Sequence, residues 1–268
     1  MPYRDAWAAQ EAAHAEVLAG GEERVLLVEH PPVITFGRRA GVERHLVASA
    51  AQLAALGVEV VQSDRGGDIT FHGPGQVVAY PIVRLVDHAL SVGGYVRALE
   101  RAAIEALRTF GVLARRDEGA VGVWVDDPAA GTSAKICAIG VRIRRGVSLH
   151  GLALNVTTDL RYFNLIVPCG LAGRPVTSLA ELLPNQTPTM ASVKGVLAGT
   201  LQQALATDVS LSPLSTRGRG SDGGDPLSPV CGWRIRGFPP RPRLTKMSRC
   251  VSTPPSATTR PRRKPSRT

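Results

Sequence analysis

The chain has 268 residues, 44% of them hydrophobic, which allows a core in one large domain or two small ones. No apolar run reaches the roughly 18 residues of a membrane helix, and Met1 to Asp5 lacks the charged-then-apolar order of a signal peptide, so a cytoplasmic protein without a membrane span is expected. The formal charge of +10 belongs to one end: residues 217–268 hold 13 of the 32 Lys and Arg and two of the 22 Asp and Glu, leaving 19 basic and 20 acidic residues in 1–216, a net of −1, and no compositional argument for nucleic-acid binding by the folded part.

Asp5 to Ala19 reads as an Ala-rich helix stopped by Gly20-Gly21. Arg24 to Glu29 and Val33 to Phe36 are short apolar runs, read as strands parted by His30-Pro31-Pro32. Ser49 to Leu56 predicts a helix with Ser49 as its cap, and Val58 to Val61 a strand. Ser91 to Phe110 is the clearest helix, its apolar residues at helical spacing between a Ser cap and Gly111. Gly122 to Val125 predicts a strand. Ala134 to Ile143 and Gly146 to Asn155 predict a hairpin turning at Arg144-Arg145-Gly146. Asp159 to Ile166 is irregular, and Val176 to Leu183 and Thr189 to Thr207 predict two helices. Strands outnumber helices and are adjacent in sequence, which argues for α+β with antiparallel pairing.

After about residue 210 the composition shifts to Pro, Arg, Ser and Thr without periodicity. The expectation is a folded domain over 1–210 and a disordered tail over 211–268. Cys137, Cys169, Cys231 and Cys250 form no C-x-x-C pair, so free thiols are expected rather than a disulfide framework or a metal site.

The most constrained stretch is Arg65-Gly66-Gly67-Asp68-Ile69-Thr70-Phe71-His72-Gly73-Pro74-Gly75-Gln76-Val77-Val78-Ala79-Tyr80-Pro81. Gly66-Gly67 permits close backbone approach, and Gly73-Pro74-Gly75 marks a turn into a buried strand. Read from the residues, it is either a ligand-site wall or an ordinary Gly-rich hairpin, with equal weight. The whole run resembles the signature of the lipoyl(octanoyl) transferase family, the octanoyltransferases of lipoate biosynthesis. Three further segments match it: Ile166-Val167-Pro168-Cys169-Gly170-Leu171, Ala134-Lys135-Ile136-Cys137-Ala138-Ile139-Gly140 and Ser148-Leu149-His150-Gly151-Leu152-Ala153-Leu154-Asn155-Val156. The resemblance runs from about Tyr3 to Thr207, although family members usually begin with one more strand before the first helix.

On their own these residues have bland readings. A lone Cys is more often a small buried hydrophobe than a nucleophile, and a strand-end Lys usually snorkels to solvent. The resemblance implies more. Cys169 would be the acyl-thioester nucleophile with Lys135 beside it, an ammonium favouring thiolate over a thiol of pKa about 8.5. Cys137 lies in uninterrupted apolar sequence and is ranked as core. The implied substrate-binding wall is Arg65, Gly66, Gly67, Asp68, Ile69, Thr70, Phe71 and His72, with Ala138, Ile139, Gly140, Gly151, Leu152 and Ala153 along the acyl chain. The resemblance also implies the biotin/lipoate protein ligase-like fold, a mixed, mostly antiparallel sheet with helices on its outer side. The implied reaction moves octanoyl from octanoyl-acyl carrier protein to a lysine of lipoyl domains, those of 2-oxoacid dehydrogenase E2 subunits and the glycine cleavage H protein. No cofactor, metal or nucleic acid is expected. The alternatives are an ATP-dependent lipoate or biotin protein ligase and a non-catalytic acyl-binding module.

Overall fold

The computed structural model describes residues 1–127, 131–167, 174–206, 211–212 and 231–235. The described residues belong to one compact unit, Met1–Gly237. Two sheets organise it. The small one contains β2 (Val33–Phe36), with β3 (Glu59–Gln62) parallel on one side and β4 (Thr70–His72) antiparallel on the other. The large one is antiparallel throughout. Its centre is β1 (Arg24–Val28), β5 (Gln76–Ile82), β9 (Val147–Asn155) and β8 (Thr132–Arg144), continued by β7 (Val123–Asp127) and β6 (Arg115–Arg116).

Both faces of the large sheet are covered, which is why β5 and β9 read as unbroken apolar runs. Val77 and Ala79 of β5 and Leu152 and Leu154 of β9 pack against helices α3 (Val92–Thr109) and α5 (Met190–Leu205). Their neighbours Val78, Tyr80 and Ala153 pack against helix α1 (Tyr3–Leu18) on the other face. This is the period-2 alternation of a strand buried on both sides. Each fully buried Leu contributes about 1.5–3 kcal/mol, and α3 supplies Leu99 and Leu107.

The helix starts follow the sequence. Ser91 accepts from Gly94 N–H at the start of α3, and Thr189 accepts from Ser192 N–H at the start of α5. Ser49 and Gln52 form a capping box on α2 (Ala50–Ala55). One helix is shorter than expected: of Val176 to Leu183, only α4 (Leu179–Leu182) is helical. The segment before it is taken by strand-like pairing, with Val176 bridging Lys135 in parallel register.

The signature stretch is not a hairpin. β4 pairs in the small sheet and β5 in the large one, so Gly73-Pro74-Gly75 carries the chain between sheets. Gly75 has φ +80, and a Cβ there would lie 2.6 Å from Thr157 C. Within the expected tail, β10 (Leu211–Ser212) and β11 (Cys231–Ile235) form strands, β11 pairing with β1. The rest of that tail lies outside the described residues. No helix among the described residues is long and apolar enough to cross a membrane.

Candidate active site

A cavity of about 360 Å³ lies between the small sheet, the signature loop and the β8–β9 pair. Its walls include Arg65, Gly67, Asp68, Ile69, Thr70 and His72 from the signature stretch. Lys135, Ala138, Ile139 and Gly140 line it from β8, and Gly151, Leu152 and Ala153 from β9. The β8–β9 register explains the grouping: Ala138 faces Ala153, Ile139 faces Leu152 and Gly140 faces Gly151.

Two expected wall residues are placed elsewhere. Phe71 stacks on Tyr162, rings 4.7 Å apart, and meets Phe163 edge-on in the core of the small sheet. Strand alternation dictates this, since Thr70 and His72 take the cavity face of β4. Gly66 stands behind the wall. Its N–H donates to Val141 O at 3.0 Å, and its carbonyl oxygen would be 2.8 Å from a Cβ on Gly140. The signature loop thus closes over β8 where β8 has no side chain.

The loop is held by its own polar residues. Buried Arg65 donates from Nε to Thr35 Oγ1 (3.1 Å), from Nη2 to Thr35 O (2.6 Å) and from Nη1 to Gly66 O (3.2 Å). Buried Asp68 accepts from His45 Nδ1 and Ile69 N–H, both at 2.7 Å, and from Arg39 Nη1 at 3.3 Å. Burial opposes its charge, but the His45 and Ile69 bonds outweigh that and hold the carboxyl below its usual range.

His72 lines the cavity and is held by Gln76. Gln76 Nε2 donates to Phe71 O and Asn155 Oδ1, which leaves Gln76 Oε1 to accept from His72 Nδ1 at 2.8 Å. Burial, with the charges of His30 and Arg65, pushes the His72 pKa well below its ordinary value, so the ring is neutral at pH 7. Behind it, Tyr80 Oη and His30 Nε2 are 2.8 Å apart, and burial lowers the His30 pKa to about 4.

At Lys135 the cavity meets solvent beside Val121, which is 53% exposed. Lys135 Nζ donates to Val121 O at 3.1 Å and lies 4.7 Å from the centre of the Trp124 ring. Lys135 N–H donates to Pro175 O, and its carbonyl accepts from Thr177 N–H. Cys169 lies outside the described residues. The chain on either side of it is anchored: Val167 N–H donates to His45 O at 2.7 Å, and Pro175 to Thr177 pairs with Lys135. Cys137 is a free, fully buried thiol in the core beneath α3, and burial pushes its pKa up to about 12. A thiol in that state is no nucleophile.

Sequence reasoning missed ten wall residues, Tyr3, Arg39, Val78, Tyr80, His150 and Val176 among them. Tyr80 was legible as the alternate neighbour of Val78 in β5; Tyr3, on α1, carried no local signal. No group of His, Cys, Asp and Glu among the described residues has the makings of a metal site.

The lipoyl protein ligase A/B catalytic domain matches residues 2–202. An octanoyltransferase of Chloroflexus aurantiacus is 48% identical over 217 residues, covering 80% of this chain and 95% of that one. An octanoyltransferase of Bacteroides fragilis is 44% identical over 211 residues, 76% and 94% of the two chains. The bipartite lipoate protein ligase of Thermoplasma acidophilum superposes with a TM-score of 0.57 at 16% identity, over 74% of this chain and 79% of that one. A lipoate-protein ligase A crystallised with ATP gives 0.57 at 15% identity, over 74% and 81%. At such identities these two speak to the fold alone, which is that of the lipoate protein ligases. The chain belongs to the lipoyl protein ligase A/B catalytic domain family, on its octanoyltransferase branch.

Proposed function

We propose that this acyltransferase moves octanoyl from octanoyl-acyl carrier protein, through a thioester on Cys169, to the ε-amine of a lysine on lipoyl domains. The observation that carries the reading is the pairing of Val176 with Lys135 in the wall of an apolar slot. It sets Pro175 to Thr177, six to eight residues beyond Cys169, against the one slot-lining lysine among the described residues, which supports the reading. From the other side, Cys169 is two residues from Val167, a reach of at most about 7 Å.

The chemistry balances with those two groups. The Lys135 ammonium favours the Cys169 thiolate. The thiolate attacks the donor carbonyl, and backbone N–H groups stabilise the oxyanion. The C–S bond to the carrier breaks, and Lys135 gives its proton to the departing sulfur. The now neutral Lys135 takes a proton from the acceptor amine as it attacks the acyl-enzyme. The amide forms, the thiolate leaves, and the ion pair is restored. Arg in place of Lys135 would serve poorly, because it does not give up its proton. Ala138 to Gly140 and Gly151 to Ala153 offer the small, apolar walls an eight-carbon chain needs.

The acceptors are the lipoyl domains of 2-oxoacid dehydrogenase E2 subunits and the glycine cleavage H protein. A thiol nucleophile needs a reducing compartment, and the reading takes the cytoplasm as its location. The reading predicts transfer from octanoyl-acyl carrier protein to an apo lipoyl domain with no ATP present, seen as a mass increase of the domain. In Lys135→Ala the rate falls on the order of 10²–10⁴-fold. Transfer that requires free octanoate and ATP would make the protein a ligase and overturn the proposal.

A further inference from the structure

The ring of Trp124 lies next to two cations. Lys135 Nζ is 4.7 Å from its centroid and Arg174 Cζ 3.6 Å. Trp124 is 1% exposed, and Lys135 faces it across the β7–β8 ladder. Its Nε1 donates to Ala120 O at 3.0 Å, so the indole is held by the same short segment whose Val121 carbonyl accepts from Lys135. Arg174 is pinned in turn, donating from Nη2 to Asp117 Oδ2 (2.6 Å) and to Ser133 Oγ (2.8 Å).

The floor of this seat is a glycine. Gly122 has φ +129, and a Cβ there would lie 2.6 Å from Cys137 O and 3.3 Å from Lys135 Cε. The Lys135 stem therefore crosses bare backbone before its ammonium reaches the ring and the carbonyl. An ordinary strand-end lysine would swing free in solvent. This one has a carbonyl, a π-face and a cleared path arranged for it.

We propose that Trp124 is a positioning residue for the transfer: its π-face, braced by Arg174, holds the Lys135 ammonium at the slot entrance. The inference rests on the reading that Lys135 serves the reaction. Cation–π attraction is larger at a desolvated ring and larger for Trp than for Phe.

Ring fluorination tests this without a steric change, because it drains the π-face that attracts the cation. The chain has three Trp: Trp7, Trp124 and Trp233. The wild-type protein and Trp124→Phe are each made with increasingly fluorinated tryptophan, and single-turnover acylation by octanoyl-acyl carrier protein is followed by intact mass. The expected result is a stepwise fall in the wild-type acylation rate, reaching on the order of tenfold, with donor KM held within about twofold. Labelling Trp124→Phe should have no further effect. Wild-type rates indifferent to fluorination, or an equal slowing in labelled Trp124→Phe, would overturn the assignment. Absence of any acyl-enzyme in unlabelled protein would remove the transfer reading and this inference with it.

Discussion

A methyl group on Gly140 would stand 2.8 Å from Gly66 O and 3.4 Å from Arg65 Cδ. That single contact ties the slot to the signature loop, because Gly140 is where the loop presses on β8. Gly140 lies five residues along β8 from Lys135, about 17 Å at strand rise. Gly140→Val is predicted to push the signature loop off β8 and to cut transfer roughly tenfold or more for octanoyl and butanoyl donors alike. The check is kcat/KM for donors of different chain length. At this scale much of the site was legible: Arg65, Gly67, Asp68, Ile69, Thr70, His72, Lys135 and both small-residue triplets meet in one cavity. Phe71 was misplaced because a motif read as a continuous wall ignores the period of two that a strand imposes. Trp124 escaped notice because a buried Trp looks like core until Lys135 and Arg174 are seen against it.

The β8–β9 hairpin shows what sequence can and cannot specify about an element. Its position was readable from Arg144-Arg145-Gly146, and the turn is the two-residue kind, with φ 53 at Arg145 and φ 79 at Gly146. Both central residues have positive φ, the type I′ pattern that Asn-Gly fits best. Arg145 is exposed, so Arg145→Asn relieves left-handed strain at little cost in contacts. Stability should rise by about 0.5–1 kcal/mol, or about 2 °C in Tm, measured by thermal unfolding. The expected helix over 176–183 is cut back to Leu179–Leu182 for a non-local reason. Lys135, some forty residues earlier, claims Pro175 O and Thr177 N–H for a strand-like pairing, and no propensity within the segment could announce that. The hairpin alternative for the turn after β4 stayed open in the sequence for the same reason, since nothing local says that β4 and β5 belong to different sheets.

For the molecule as a whole, covering the large sheet on both faces turns β5 and β9 into a rigid floor. Site residues on that floor keep their spacing whatever happens at the sheet's edge. The basic excess lies at the other end of the chain. Deleting 217–268 takes the formal charge from +10 to −1, by loss of 13 Lys and Arg and two Asp and Glu. It also removes β11 from the β1 edge. The predicted outcome is loss of heparin retention at low salt, with octanoyl transfer kept within about twofold of the full chain. α+β class and antiparallel pairing were legible because strands follow one another directly in sequence. The division into two sheets was not, since it depends on which strands meet and not on where they lie.

The most direct measurement is a peptide map of the protein after brief incubation with octanoyl-acyl carrier protein and no acceptor. The account predicts one octanoyl group, on the peptide containing Cys169, sensitive to hydroxylamine and absent from Cys169→Ala. An octanoyl group on Cys137 or on a lysine, or an adduct that persists in Cys169→Ala, would contradict it.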